Sequence, residues 1–163
     1  MNSRLSLTAS VMVTASLVVG IGAGCAGQSM SKMGSGDVVA DRQRVMKLQG
    51  ASWGDIQAKA KGGNIEAIAV NAETLALTAQ QIPSLFPAGS GTEKSKAKPE
   101  VWQKWSEFEA AAKNLEAEAG KLRDAARAKN EQLTQDLVKD FGRKACGTCH
   151  TPFRQPPPAQ PRS

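Results

Sequence analysis

Cys146, Cys149 and His150 stand together in the run Cys146-Gly147-Thr148-Cys149-His150, near the C-terminus of the 163-residue chain. On a helix, positions i, i+3 and i+4 share a face, so two thiols and an imidazole would address one flat object. Thiols so placed can add to the two vinyl groups of a haem as thioethers while the imidazole reaches the iron, and Cys-x-x-Cys-His is the signature of that attachment. Other chemistries fit less well. A structural zinc site takes about four nitrogen or sulfur ligands, yet His150 is the only histidine and Cys25 the only other cysteine. A thioredoxin-like redox pair opens a helix among alternating strands and helices, whereas this chain reads as helix throughout. The residues therefore point to one covalently bound haem c, tethered by Cys146 and Cys149, with His150 as an axial iron ligand.

Composition also constrains the sixth iron position. With a single histidine, bis-histidine ligation within a monomer is excluded, which leaves Met, Lys, water, an external gas or nothing. Met30 and Met33 lie in a Gly- and Ser-rich lead, while Met46 falls on the inward stripe of the first expected helix. Met46 is the best internal candidate, its alternative being a flexible core gap-filler. Because Met/His haems are a common electron-transfer arrangement, the main expectation is a His150/Met46-ligated carrier of single electrons between redox partners. The alternative is a five-coordinate, high-spin haem whose open position takes nitric oxide or carbon monoxide. No enzyme is expected, since no distal histidine or acid/base pair beside the iron can be named.

Helices must position these groups. A first is expected over 37–61, with Asp37 as cap, Gly62-Gly63 as stop, and an inner stripe of Val39, Arg42, Met46, Gln49, Trp53, Ile56 and Ala60. Gly50 and Gly54 weaken its middle and hint at a flat neighbour or a kink. A second starts at Asn64 as N-cap and ends near Gln81, its stripe running from Ile65 to Ile82. Residues 82–99, broken by Pro83, Pro87, Gly89 and Gly91, read as a long loop. Pro99 suits the first turn of a third helix, whose stripe through Trp105, Phe108, Leu115 and Leu122 is the cleanest in the chain. Asn130 caps a fourth, with Leu133, Leu137, Phe141 and Ala145 facing inward before the cysteines arrive. Nothing alternates with a period of two. The fold class is all-α: an antiparallel, left-handed four-helix bundle with C-terminal haem attachment.

The N-terminus reads as an export signal over 1–24: Arg4, an apolar run, then small residues before Cys25. Two outcomes stay open for Cys25, lipidation as the first mature residue or loss when ordinary signal peptidase cuts after Ala26. Either places the chain in the periplasm or otherwise outside the cytoplasm, soluble or membrane-anchored. A flexible lead over 25–36, a cytochrome domain over 37–155 and a Pro-rich tail over 156–163 complete the layout. The formal charge is +6, or +5 without Arg4, which favours acidic partners. No Gly-rich phosphate cradle or basic run with interleaved aromatics points to nucleic acid.

Taken together, a four-helix bundle ending in Cys-x-x-Cys-His resembles cytochrome c-prime and its low-spin relatives, the class II cytochromes c. The resemblance runs from about Val38 to Arg154 and includes Arg42-Gln43-Arg44-Val45-Met46, Leu85-Phe86-Pro87-Ala88-Gly89-Ser90-Gly91, Pro99-Glu100-Val101-Trp102 and Phe153-Arg154. It implies thioethers at Cys146 and Cys149, His150 as proximal ligand, Met46 at the distal position, Arg42 beside a haem propionate, Arg154 near the proximal side and the haem edge, and a homodimer. The sequence departs from the family pattern at Pro152, which deletes a backbone donor and kinks or ends the helix, and at Gly147, where the family often has lysine. Arg42, Arg44, Lys47, Arg143, Lys144 and Arg154 fall near the expected haem and would form a basic rim.

Overall fold

A computed structural model describes residues 36–156; the expected signal, Cys25, most of the lead and the tail beyond Pro156 lie outside the described residues. Helix α1 (Val38–Lys61) opens where the Asp37 carboxylate accepts the Val39 and Ala40 amides at 2.9 and 3.2 Å, satisfying donors that the first turn leaves free. At its other end the Asn64 amide returns to the Lys59 carbonyl (2.9 Å) and the Gly63 amide to that of Ala60 (3.3 Å). Gly63 has φ +72°, so the pattern is a Schellman stop. Asn64 therefore completes the end of α1 instead of capping the next helix, which corrects the sequence expectation. Helix α2 (Ile68–Gln81) begins four residues later.

The expected third helix is divided. A short α3 (Glu100–Gln103) is separated from α4 (Trp105–Arg127) by Lys104, whose φ −121° and ψ 49° are not helical. The preceding turn is tied elsewhere, because the Trp102 indole N–H donates to the Phe86 and Pro87 carbonyls at 3.1 and 3.0 Å. Helix α5 (Glu131–Phe141) starts where the Asn130 side chain accepts the Leu133 amide. Its inward stripe differs from the expected one by a residue at the start. Leu133 is 47% exposed, while Thr134 is wholly buried with its hydroxyl donating to the Asn130 carbonyl at 2.7 Å. From Leu137 onward the expected stripe holds, with Phe141 and Ala145 buried.

A π-helical turn, Gly142–Gly147, joins α5 to α6 (Thr148–Phe153). The bundle is all-α and antiparallel, as expected, with α1, α2, the α3–α4 pair and the α5–α6 run as its four arms. Its most extensive contact is α2 on α4. Both inner faces are rich in alanine, including Ala72, Ala79, Ala112 and Ala119, which lets backbones approach closely while Leu75, Phe108, Leu115 and Leu122 fill the layers between. Among the described residues the only extended pairing is one bridge, Ala97 with Arg154.

No protein group among the described residues accounts for Gly50 and Gly54. Helix α1 runs through both, and a Cβ built at either meets nothing within 4 Å. Gly50→Ala and Gly54→Ala should therefore each stabilise the protein by about 1 kcal/mol through helix propensity alone, measured as a higher urea midpoint at unchanged slope. A loss of stability would show that something covers this face.

Candidate functional site

The expected attachment residues straddle a junction. Cys146 lies in the π turn, and Cys149 and His150 lie in α6. A π turn holds one residue more than an α turn, so the three do not ride one uninterrupted α-helical face. Several contacts hold the turn open. The Lys144 carbonyl accepts both the Asn114 side-chain amide from α4 (2.7 Å) and the Thr148 hydroxyl (2.6 Å). A Cβ at Gly147 would meet the Gly142 carbonyl at 3.4 Å, and Gly142 lies beside Trp53, which stacks on Phe141 at 5.0 Å. Asn114 was not legible in the sequence, because it occupies an ordinary polar position of α4 and its partner is a carbonyl released by the π turn.

Both cysteines are free thiols, half-buried and packed against the core. Burial raises the Cys146 pKa; burial first, and Cys146 second, push Cys149 up to about 11. Both therefore remain S–H at neutral pH, the form that supplies sulfur and hydrogen to an alkene. His150 is exposed at one edge, and desolvation, then the nearby Arg154 charge, hold its pKa below the ordinary histidine value. A neutral imidazole nitrogen is what an iron ligand requires.

Cys149 and His150 open onto a cavity of about 290 Å³. Its walls come from α1 (Val39, Met46), the end of α2 (Ile82), the long loop (Phe86, Ala97) and the core (Val101, Phe108, Phe153). Cys146 is not in the lining. Met46, Arg42 and Arg154 are, and so is Lys47, whereas Arg44, Arg143 and Lys144 are not. Pro152 lies inside α6, which ends one residue later at Phe153 before the chain turns extended at Arg154, and Phe153 stays buried at 4% exposure. One thiol and one imidazole at an apolar cavity bordered by cations, with the second thiol three residues back on the π turn, fit a haem, whose faces are apolar and whose propionates are acidic.

Arg42 does more than border the cavity. Only 5% exposed, it donates from Nε to the Leu85 carbonyl (2.5 Å), from one terminal nitrogen to the Ser90 carbonyl (3.0 Å) and Ser95 hydroxyl (3.3 Å), and from the other to the Ser90 hydroxyl. Its guanidinium also lies 4.1 Å from the Phe86 ring centre. Burial lowers its pKa against the pull of Asp37. The side chain thus pins the loop that forms one wall. The expected basic rim is also smaller than the sequence suggested: Arg44 pairs with Asp41, and Arg143 and Lys144 pair with Asp140.

These elements agree with the known proteins that the chain resembles. Residues 37–154 match the family described as Cytochrome C'. Cytochrome c-556 of Agrobacterium tumefaciens (strain II Chrys) is 33% identical over 122 residues, covering 71% of this chain and 95% of that protein. Cytochrome c' of Rubrivivax gelatinosus is 33% identical over 125 residues, covering 74% and 95%. The crystal structure of cytochrome c' from Rubrivivax gelatinosus superposes with a TM-score of 0.64 at 27% identity, over 74% of this chain and 96% of that one. The chain belongs to the cytochrome c' family. It therefore carries a single covalently bound haem c and is a haem protein, not an enzyme.

Membership corrects one expectation. Cytochromes c' are five-coordinate, high-spin haem proteins with histidine as ligand, so a low-spin His150/Met46 electron carrier is overturned. Met46 does lie in the cavity wall, but as a partly buried side chain packed against the core. Position and residue type made it a candidate ligand; a gap-filling thioether needs the same position and type.

Proposed function

We propose that this protein binds a small neutral gas, nitric oxide or carbon monoxide, at the open sixth position of a five-coordinate haem. Thioethers at Cys146 and Cys149 would tether the haem, and His150 would be its proximal ligand. One observation carries the reading: the cavity that receives His150 is walled by Val39, Ile82, Phe86, Val101 and Phe108, and the chain contains no second histidine. Such walls offer no strong-field nitrogen to the iron and suit an uncharged diatomic ligand. The bound haem supplies the iron; the chain fixes the proximal imidazole, excludes water with apolar side chains and limits the ligand by size.

The protein would act outside the cytoplasm after removal of its export signal, cut before Cys25 or after Ala26, with redox proteins and a second copy of itself as partners. Cys25 would be its lipidated N-terminus if cleavage falls directly before it. Among the described residues, no helix is long and apolar enough to cross a membrane.

The optical spectrum tests the proposal. The unmutated protein should be high-spin in both oxidation states, and its reduced form should bind carbon monoxide without mutation. Met46→Leu, which nearly conserves volume, should leave spin state and spectrum unchanged. A low-spin spectrum with a far-red sulfur-to-iron band that Met46→Leu abolishes would refute the five-coordinate reading.

A further inference from the structure

The cavity holds more positive charge than an apolar ligand needs. Arg42, Lys47, Lys96 and Arg154 all border it, and no Asp or Glu does. Their situations differ. The Arg42 hydrogen bonds go to Leu85, Ser90 and Ser95 of the loop. Arg154 is tied to the proximal segment, its amide donating to the His150 carbonyl at 3.2 Å. Lys47 and Lys96 remain: both are exposed at the mouth, and neither takes part in an ion pair among the described residues.

The backbone at Lys96 is tied on both sides. Its carbonyl accepts the Gln155 amide at 2.8 Å, and two residues on the Lys98 amide donates to the Phe153 carbonyl at 2.9 Å. Before it, Ser95 is buried, with its hydroxyl accepting both Arg42 and the Ala97 amide (3.1 Å). The backbone on either side of Lys96 is thus tied to α1 and to the end of α6. Lys47 faces the same mouth from α1, one residue after Met46.

We infer that Lys47 and Lys96 are the cations that meet the two haem propionates, and that Arg42, expected from the resemblance to take this part, is instead the positioning residue that sets Lys96 in place. Two lysines at one mouth, Lys47 from α1 and Lys96 from the loop, match in number two carboxylates that leave the macrocycle from one edge. The inference rests on the haem occupying this cavity and is independent of which gas binds or whether any does.

A cation beside the haem stabilises the reduced state, which carries one less positive charge, and it lowers the pKa of the carboxylate it faces. Spectroelectrochemical titration of the purified holoprotein from pH 5 to 9 reads both effects. Lys96→Gln and Lys47→Gln should each lower the midpoint potential and move the propionate inflection of the potential-against-pH curve to higher pH; Lys96→Arg should restore both. Lys113→Gln, on an exposed face of α4 outside the cavity lining, serves as control and should change neither. If the two cavity variants behave like Lys113→Gln, the inference fails. It also fails if a folded Arg42→Gln moves the inflection while the lysine variants leave it in place. Neither failure touches the gas-binding proposal, which is read from spin state and carbon monoxide affinity.

Discussion

Haem should stay on the polypeptide through acid-acetone extraction and denaturing electrophoresis, and the double variant Cys146→Ala, Cys149→Ala should lose all of it. The effect is all-or-none because a thioether is a carbon–sulfur bond, whereas an axial histidine alone is displaced by acid. Each single variant should keep one link, with the reduced pyridine adduct absorbing at longer wavelength because one vinyl group stays conjugated with the ring. The two singles need not be equal. Cys149 lines the cavity directly, while Cys146 sits on the π turn outside the lining, so Cys149→Ala should reduce haem content more than Cys146→Ala. Complete release of haem from the unmutated, haem-matured protein would sink the assignment of both residues.

The largest change in stability should come from Arg42→Met. The substitution keeps most of the apolar stem but removes every donor from a side chain that is 5% exposed and hydrogen-bonded to three loop residues. Stranding buried carbonyl acceptors costs about 1 to 3 kcal/mol each where water cannot reach them. Some loop acceptors will rehydrate, so a loss on the order of 3 kcal/mol is expected, together with the stacking of the guanidinium on Phe86. The damage should be local first. Trypsin should cut the variant at Lys94 or Lys96 well before the helices, whereas the unmutated loop, pinned at Ser90, Ser95 and the Ala97–Arg154 bridge, should resist. Equal cleavage rates and a urea midpoint within error of the parent would show that the loop is held by other contacts.

Much of this protein was determined by its sequence alone, for reasons that are local. The Cys-x-x-Cys-His run names its chemistry because covalent attachment and ligation need those three groups at that spacing. The bundle was legible because alternating three- and four-residue stripes such as Trp105, Phe108, Ala112, Leu115 and Ala119 need one buried side, and Asp37 and Asn130 announce helix starts through their own side chains. What failed depended on partners distant in the chain. Asn64 looked like a helix cap until Gly63 took a left-handed conformation and returned the Asn64 amide to Lys59. The π turn carries no signature of its own: Asn114 holds it from a helix 30 residues away in sequence. Arg42 reads as a cation on an inner stripe, and only the folded loop reveals that its donors belong to Leu85, Ser90 and Ser95. Met46 shows the limit most plainly, since a thioether facing the haem pocket has the same sequence context whether it binds iron or fills space; family membership, not spacing, decides between them. Sequence settles which groups are present and which helix face carries them, whereas hydrogen-bond partners across the bundle are settled by where its loops and helix ends come to rest.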